Sequence, residues 1–420
     1  MKIMWLCNMA PSAVRAATGG MDKGALWMDH VFDDLRLHNK MLRVLYASSQ
    51  ACEGVLDENT SYVSYAEGEP HVYTESLEGV FSKELLMFSP DIIHVWGTEY
   101  GHTLAMVNAA EKCGYLDRLV ISIQGLCSVI AKHYMEGIPY KVQQSYTLRD
   151  FITHNNLRDQ QKKFMLRGEM EKKALGKARH VIGRTDWDKA CTTQINPAVQ
   201  YHYCNETLRK EFYERNWSYT NCQKHTIFCA SGEYPVKGSH YVMEAVGMVA
   251  EKYPDVRVTF SGSSPFPKKD ILGKLRYTVY ATYLEKLIEK YSLWDKVRFA
   301  GFLSAEEMRE QYINANVFVS ASTIENSPNS LGEAMLMGVP CVASNVGGVS
   351  DLLLHKKEGF VYQSTAPYML AHYIMEVFAM QDAAEALGKA AKQKAASTHD
   401  PEVNAKRLLD IYEQIQESTR

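Results

Sequence analysis

Two successive runs of alternating strand-like and helix-like segments set the limits on what this 420-residue chain can fold into. The first run reads KIMWLCN, a helix over roughly 24–38, MLRVLYAS, DIIHVWG with a helix from about 102, RLVISIQG, and HVIGRT with a helix from Asp186. The second begins near HTIFCASG (225–232) and continues through VRVTFSGS, KVRFAGF, NVFVSAS, VPCVAS and GFVYQ. Short β-rich stretches that are apolar along most of their length suit strands buried on both faces, as in a parallel sheet wrapped by helices. The expected fold class is therefore α/β, with two similar doubly wound, Rossmann-like units. Length agrees, because single cores stop growing near about 250–300 residues. The polar, aromatic stretch RKEFYERNWSYTNCQK (209–224) is the expected junction, giving domains 1–215 and 216–400. A last amphipathic helix over about 401–418 carries Val403, Leu408, Leu409, Tyr412 and Ile415 on one stripe.

Composition removes several function classes. A formal charge of -3 with no low-complexity tract does not describe a nucleic-acid binder. Nine cysteines without a CxxC pair, several inside apolar runs, read as small buried hydrophobes in a reducing compartment. The start MKIMWLCNMA reads as a first strand rather than a signal peptide, and no apolar run of about 18 residues suggests a transmembrane helix. A cytoplasmic location is expected. Residues 141–184 hold eleven Lys or Arg against four Asp or Glu, interleaved with Phe151, Phe164, Met165 and Met170. A solvated helical face explains this most simply; the functional alternative is peripheral attraction to the inner face of an anionic membrane carrying a lipid-linked acceptor.

The chemistry concentrates in NVFVSASTIENSPNSLGEAMLMGVPCVASNVGG, where a strand ends in a polar turn and a helix starts near Ser327 or Asn329, with Ser327 as cap and Pro328 in the first turn. A helix N-terminus at the carboxyl edge of a parallel sheet binds anions, since its N–H groups and dipole point outward. Glu325 precedes that helix and Glu333 lies within it, so the two acids can border one ligand. Carboxylates accept well from vicinal diols, of which a nucleotide sugar has two sets.

These residues resemble family 4 of the GT-B glycosyltransferases, marked by two glutamates separated by seven residues, here Glu325-NSPNSLG-Glu333 followed by Gly338, Pro340, Val342, Ser344, Gly347 and Gly348. Lys237-Gly238 resembles the family's phosphate-binding lysine loop, VRFAGFLSAEEM with Phe302 and Leu303 its nucleobase segment, and Gly19-Gly20 its glycine loop facing the donor phosphates. The resemblance implies a GT-B architecture of two domains facing a central cleft, with donor in the C-terminal domain, acceptor in the N-terminal one, and the last helix (401–420) returning to the latter. It implies a retaining hexosyltransferase that uses a UDP- or GDP-type donor and a sugar or glycolipid acceptor in surface polysaccharide synthesis, without metal or other cofactor. Glu325 would hold the transferred sugar and Glu333 the ribose. Backbone N–H groups of Asn329, Ser330 and Leu331, with Lys237, would neutralise the diphosphate.

Three positions depart from the family pattern. Gly232 stands where an arginine is common, making Arg184 the candidate second phosphate cation. Gln124 stands where a histidine is common, and His133 is a candidate acceptor contact. Pro328 replaces a residue that donates its N–H. Asp186-Trp-Asp188 has DxD spacing, but it opens a helix, so capping by Asp186 accounts for it. A nucleotide-sugar epimerase of the same fold and a non-catalytic sugar-nucleotide binder remain as alternatives; a dehydrogenase does not, for no GxGxxG follows the first strand.

Overall fold

In the computed structural model, which describes residues 1–19, 27–267, 273 and 275–419, the chain divides into two compact units. Unit 1 comprises Met1–Ala131, Lys163–Arg209 and His399–Arg420; unit 2 comprises Lys132–Lys162 and Lys210–Thr398. The expected boundaries are corrected in two respects: residues 132–162, assigned above to the first domain, pack with the second, and so do residues 210–215. Side chain to backbone bonds hold 132–162 there. Thr147 Oγ1 donates to Tyr277 O at 2.7 Å, Asp150 Oδ2 accepts from Val279 N at 2.9 Å, and His240 Nε2 pairs with Glu136 O at 3.1 Å.

Unit 1 is built on strands β1 (Lys2–Cys7), β2 (Met41–Ala47), β3 (Glu53–Asp57), β4 (Thr60–Tyr65), β5 (Ile92–Trp96), β6 (Leu119–Ser122), β7 (His180–Gly183) and β8 (Gln200–Tyr203). They lie in the order β3-β4-β2-β1-β5-β6-β7-β8, parallel except for β3 against β4. Ile3, Met4, Trp5 and Leu6 are all fully buried because helices cover both faces of the sheet. One face packs on helices Ser76–Phe88 and Gly101–Cys113, the other on Asp29–Leu37 and the C-terminal Pro401–Ser418. The last helix enters the core through Leu408, Ile411, Tyr412 and Ile415, and the Tyr412 hydroxyl pairs with Trp5 Nε1 at 3.2 Å and His94 Nδ1 at 2.6 Å. Val403, placed on that stripe above, is instead 60% exposed; Ile411 supplies the buried position the stripe lacked.

Unit 2 is built on β9 (Thr226–Cys229), β10 (Arg257–Phe260), β11 (Val297–Phe299), β12 (Val317–Ser320), β13 (Cys341–Ser344) and β14 (Phe360–Tyr362). The order is β11-β10-β9-β12-β13-β14, all parallel. Strand order therefore runs outward from β9 in one direction and reverses at β12, with Phe228 beside Phe318. A crevice opens at such a reversal, since the connections leave the two neighbouring strands toward opposite faces. Among the described residues, no helix is long and apolar enough to cross a membrane.

Candidate functional site

The reversal in unit 2 brings together the ends of β9 and β12. Beyond β9 the chain passes Gly232 and makes one 3-10 turn, Pro235–Lys237, closed by Gly238 at φ +69°. A Cβ at Gly238 would lie 1.8 Å from Ala321 O. Only glycine allows this loop to reach the backbone beyond β12, both for its left-handed conformation and for the missing side chain. That approach sets Lys237 opposite Glu325, Nζ to Oε1 at 2.5 Å, and the same Oε1 accepts from Ser322 Oγ at 2.8 Å. The Glu325 main chain is fixed as well. Gly348 N donates to Glu325 O at 3.1 Å, and a Cβ at Gly347 (φ +52°) would fall 1.8 Å from that oxygen.

Helix Asn329–Leu336 begins four residues after Glu325. Ser327 does not cap it, contrary to the expectation above: Pro328 is the N-cap, in extended conformation, and no side chain caps the helix. Leu331 also departs from expectation. Its N–H goes to Pro328 O at 3.0 Å, closing the helix's first turn, so it is not aimed outward. Glu333 is buried, and its Oε2 lies 3.1 Å from the Tyr312 hydroxyl, which also lies 3.0 Å from Ser330 O. A cavity of about 190 Å³ lies beside Lys237 and Glu325, lined also by Ser231, Ser322 and Ser330 among others; Glu333, held against Tyr312, is not among its lining residues. That volume is several times the roughly 30 Å³ a water occupies in the liquid. The cavity thus carries a cation, a carboxylate and hydroxyls next to a helix start, a set that suits an anion bearing hydroxyl groups.

Gly232 has a physical reason. A Cβ there would approach Phe260 Cδ1 to 2.7 Å and Phe299 Cε1 to 3.1 Å, and those rings stack on each other at 5.0 Å. Aromatic packing fills the space that a phosphate-binding arginine would need. Beyond β11, Phe302 is 83% exposed and Leu303 half-buried, in the loop that precedes helix Ala305–Asn314. His133 belongs to unit 2: its carbonyl accepts from Thr323 Oγ1 at 3.1 Å, and its Nδ1 pairs with Glu136 Oε2 at 2.5 Å.

Gln124 and Arg184 come together in unit 1, not at this cavity's lining. Arg184 Nη1 pairs with Glu206 Oε2 at 2.7 Å, Gln124 Nε2 donates to Glu206 Oε1 at 2.7 Å, and Arg184 Nη2 lies 3.4 Å from Gln124 Oε1. Nearby, burial lifts the Glu99 carboxyl to about 7, with the charge of Glu171 adding to the shift. Gly19 lies in the same unit at φ +71°, and Gly20 falls outside the described residues. Helix Asp186–Ile195 is capped by Thr185, not by Asp186; Asp188 is fully buried and accepts from Arg184 N at 2.9 Å and from the Tyr201 hydroxyl. Ser322 and Tyr312, which orient the two glutamates, carry no spacing signal in the sequence and were found only through the fold.

Two Rossmann-like units, the second with a lysine–glutamate pair and an open helix start at its strand reversal, define the GT-B class of glycosyltransferase folds. Within that class, residues 218–394, which fall in unit 2, match the family described as Glycosyl transferases group 1. The spore coat protein SA of Bacillus subtilis is 27% identical over 180 residues, which cover 42% of this chain and 46% of the relative. The chain thus matches about half the length of that relative. Among solved structures, sucrose-phosphate synthase from Thermosynechococcus elongatus superposes with a TM-score of 0.72 at 17% identity, covering 100% of both chains. HepE from Anabaena, in complex with UDP and glucose, gives 0.66 at 15% identity, covering 99% of this chain and 100% of that one.

Proposed function

We propose that the chain transfers a hexose-type sugar from a UDP- or GDP-type donor to a hydroxyl of a sugar or glycolipid acceptor, with retention of anomeric configuration, in the synthesis of a surface polysaccharide. The observation that carries this reading is the Lys237–Glu325 pair beside the helix at Asn329. As the bond from the anomeric carbon to the phosphate oxygen breaks, negative charge grows on the β-phosphate; Lys237 and the outward helix amides stabilise it where it forms. Glu325, released from Lys237 toward the sugar, accepts from its hydroxyls, and Glu333 accepts from the ribose. The acceptor oxygen bonds to the anomeric carbon, and its proton passes to the departing phosphate, so no protein base is required. In this reading the neutralising charge comes from Lys237 and the amides rather than from a metal ion. Phe302 offers an apolar face to the base, and His133 a contact to the acceptor.

HepE's complex with UDP and glucose supports the donor class by similarity of fold. The test is incubation with a panel of nucleotide sugars. Nucleoside diphosphate release, fast with acceptor and slow by hydrolysis, is the expected result. A new nucleotide sugar without release would make the protein an epimerase. Binding with neither product would make it a sugar-nucleotide binder, the reading that the filled space at Gly232 favours second.

A further inference from the structure

We infer that residues 140–153 of unit 2, with the neighbouring Leu275 and Arg276, form a face that docks on an anionic lipid bilayer. The short helix Leu148–Thr153 is inverted relative to an ordinary surface helix. Its acid points inward: Asp150 is 2% exposed and accepts from the N–H groups of Thr147 at 3.2 Å and Val279 at 2.9 Å. Its apolar residues point outward, Phe151 at 63% and Ile152 at 67% exposed, beside exposed Leu148, Tyr140 and Tyr146. The Tyr146 and Phe151 rings lie 6.1 Å apart, so the exposed groups form a patch rather than scattered single residues.

Thr147 Oγ1 bonded to Tyr277 O, and Arg149 Nη1 reaching Arg276 O at 3.3 Å, hold the helix against the turn before Val279. That contact extends the patch to Leu275, which is half exposed. Charge then selects the partner. Between 137 and 158 the single acid is Asp150, which is buried, while Lys141, Arg149 and Arg158 stand in the same stretch and Arg276 adjoins it. A cationic, aromatic-rich face on a chain of formal charge -3 complements anionic headgroups, with tyrosines suited to the water–lipid boundary. A second copy of the chain fits less well, because a two-fold dimer through this face would bring two cationic faces together. The face lies apart from the residues lining the donor cavity, so docking does not depend on the donor chemistry.

Co-sedimentation of the full chain with phosphatidylcholine vesicles, with and without phosphatidylglycerol, tests this. About tenfold more protein should pellet with the anionic vesicles at low salt, falling back as salt screens the headgroups. Phe151→Ser with Ile152→Ser should abolish the gain, and Arg149→Gln reduce it, while nucleoside-diphosphate thermal shift is unchanged. In the unaltered chain, the same vesicles should slow amide exchange at 140–153, which keeps the test valid if a variant fails to fold. Equal pelleting on both vesicles, or unaltered exchange at 140–153, overturns the inference. So does a dimer in light scattering that the Phe151/Ile152 variant dissolves, which would assign the face to a second copy.

Discussion

At the carboxyl edge of the first sheet, Arg184 and Glu206 are sealed from solvent, their side chains 5% and 9% exposed; at the edge of the second, Lys237 and Glu325 keep 36% and 16%. Both are cation–carboxylate pairs in α/β units of related design. The buried pair is bridged locally, with Gln124 donating to Glu206 and Arg184 reaching the carbonyls of Ile123 and Gln124, and the pocket it lines with Trp27 and Trp96 is small, about 30 Å³. The open pair borders a cavity and sits beside a helix start that no side chain caps. A buried ion pair is fixed by the cost of separating it, whereas a pair facing solvent can exchange one partner for an arriving anion. The looser of the two is the pair to which the proposed chemistry is assigned, and the family match over 218–394 falls on that unit.

The largest effect expected from this contrast is on stability in unit 1. Glu206→Ala leaves the Arg184 guanidinium buried without its carboxylate, at about 3–5 kcal/mol in denaturant unfolding, with nucleotide affinity retained. A change under about 1 kcal/mol would show that the pair is not sealed. Lys237→Ala should do the reverse. Turnover should fall about 10²–10³-fold, about 3–4 kcal/mol in barrier, with the unfolding midpoint nearly unmoved. Equal loss in both measurements would erase the distinction drawn between the two pairs.

Acid should separate the units next. Burial depresses His94 to about 3 and His399 to about 4 in unit 1, and His240 to about 4 in unit 2. Each takes up its proton on unfolding between that value and about 6.5, so stability is lost as pH falls through the window, by up to about 2 kcal/mol per histidine from pH 7 to 5. Glu99, raised to about 7, acts in the opposite sense, its contribution present at low pH and lost as pH rises toward 7. Hydrogen exchange of β5 and β6 against β9 and β12 at the two pH values reads the balance, and His94→Gln should flatten the unit 1 response. The smallest effect is at Glu333. Gln keeps the oxygen that faces the Tyr312 hydroxyl but not the charge, so nucleotide affinity should weaken about tenfold, roughly 1.4 kcal/mol, by calorimetry.

Much of the second unit can be read directly from the sequence. Its central strands β9, β12 and β13 are covered on both faces, so TIFC, VFVS and CVAS stand out as apolar runs. The same logic finds β1, β2, β5, β6 and β7. It misses the β3–β4 hairpin and β8, whose edge positions leave EGVLD and QYHY polar and partly exposed. The allegiance of 132–162 is hidden for another reason. One of its ends falls inside the continuous helix Leu157–Lys177, and it is tied down by bonds from Thr147 and Asp150 to backbone atoms, which leave no period in the sequence. At the site, Glu325 and Glu333 are legible through their spacing, and Lys237 through the resemblance of its Lys-Gly loop to the family's. Ser322 and Tyr312 are not, because a hydroxyl acquires its role only when the fold brings a carboxylate within reach. The Leu331 amide is not legible either, because helix registration, not residue type, decides which amides in the first turn are consumed.

The clamp of Gly348 on the Glu325 carbonyl, with Gly347 allowing the approach, ties an acid to a turn more than twenty positions downstream. Anyone grafting a new connection after β13 to alter sugar preference would transplant, unawares, one half of the jig that aligns that acid. Even Gly347→Ala should therefore behave as if Glu325 itself had been displaced, and a chimera that preserves both glycines should tolerate wide variation elsewhere in the same connection.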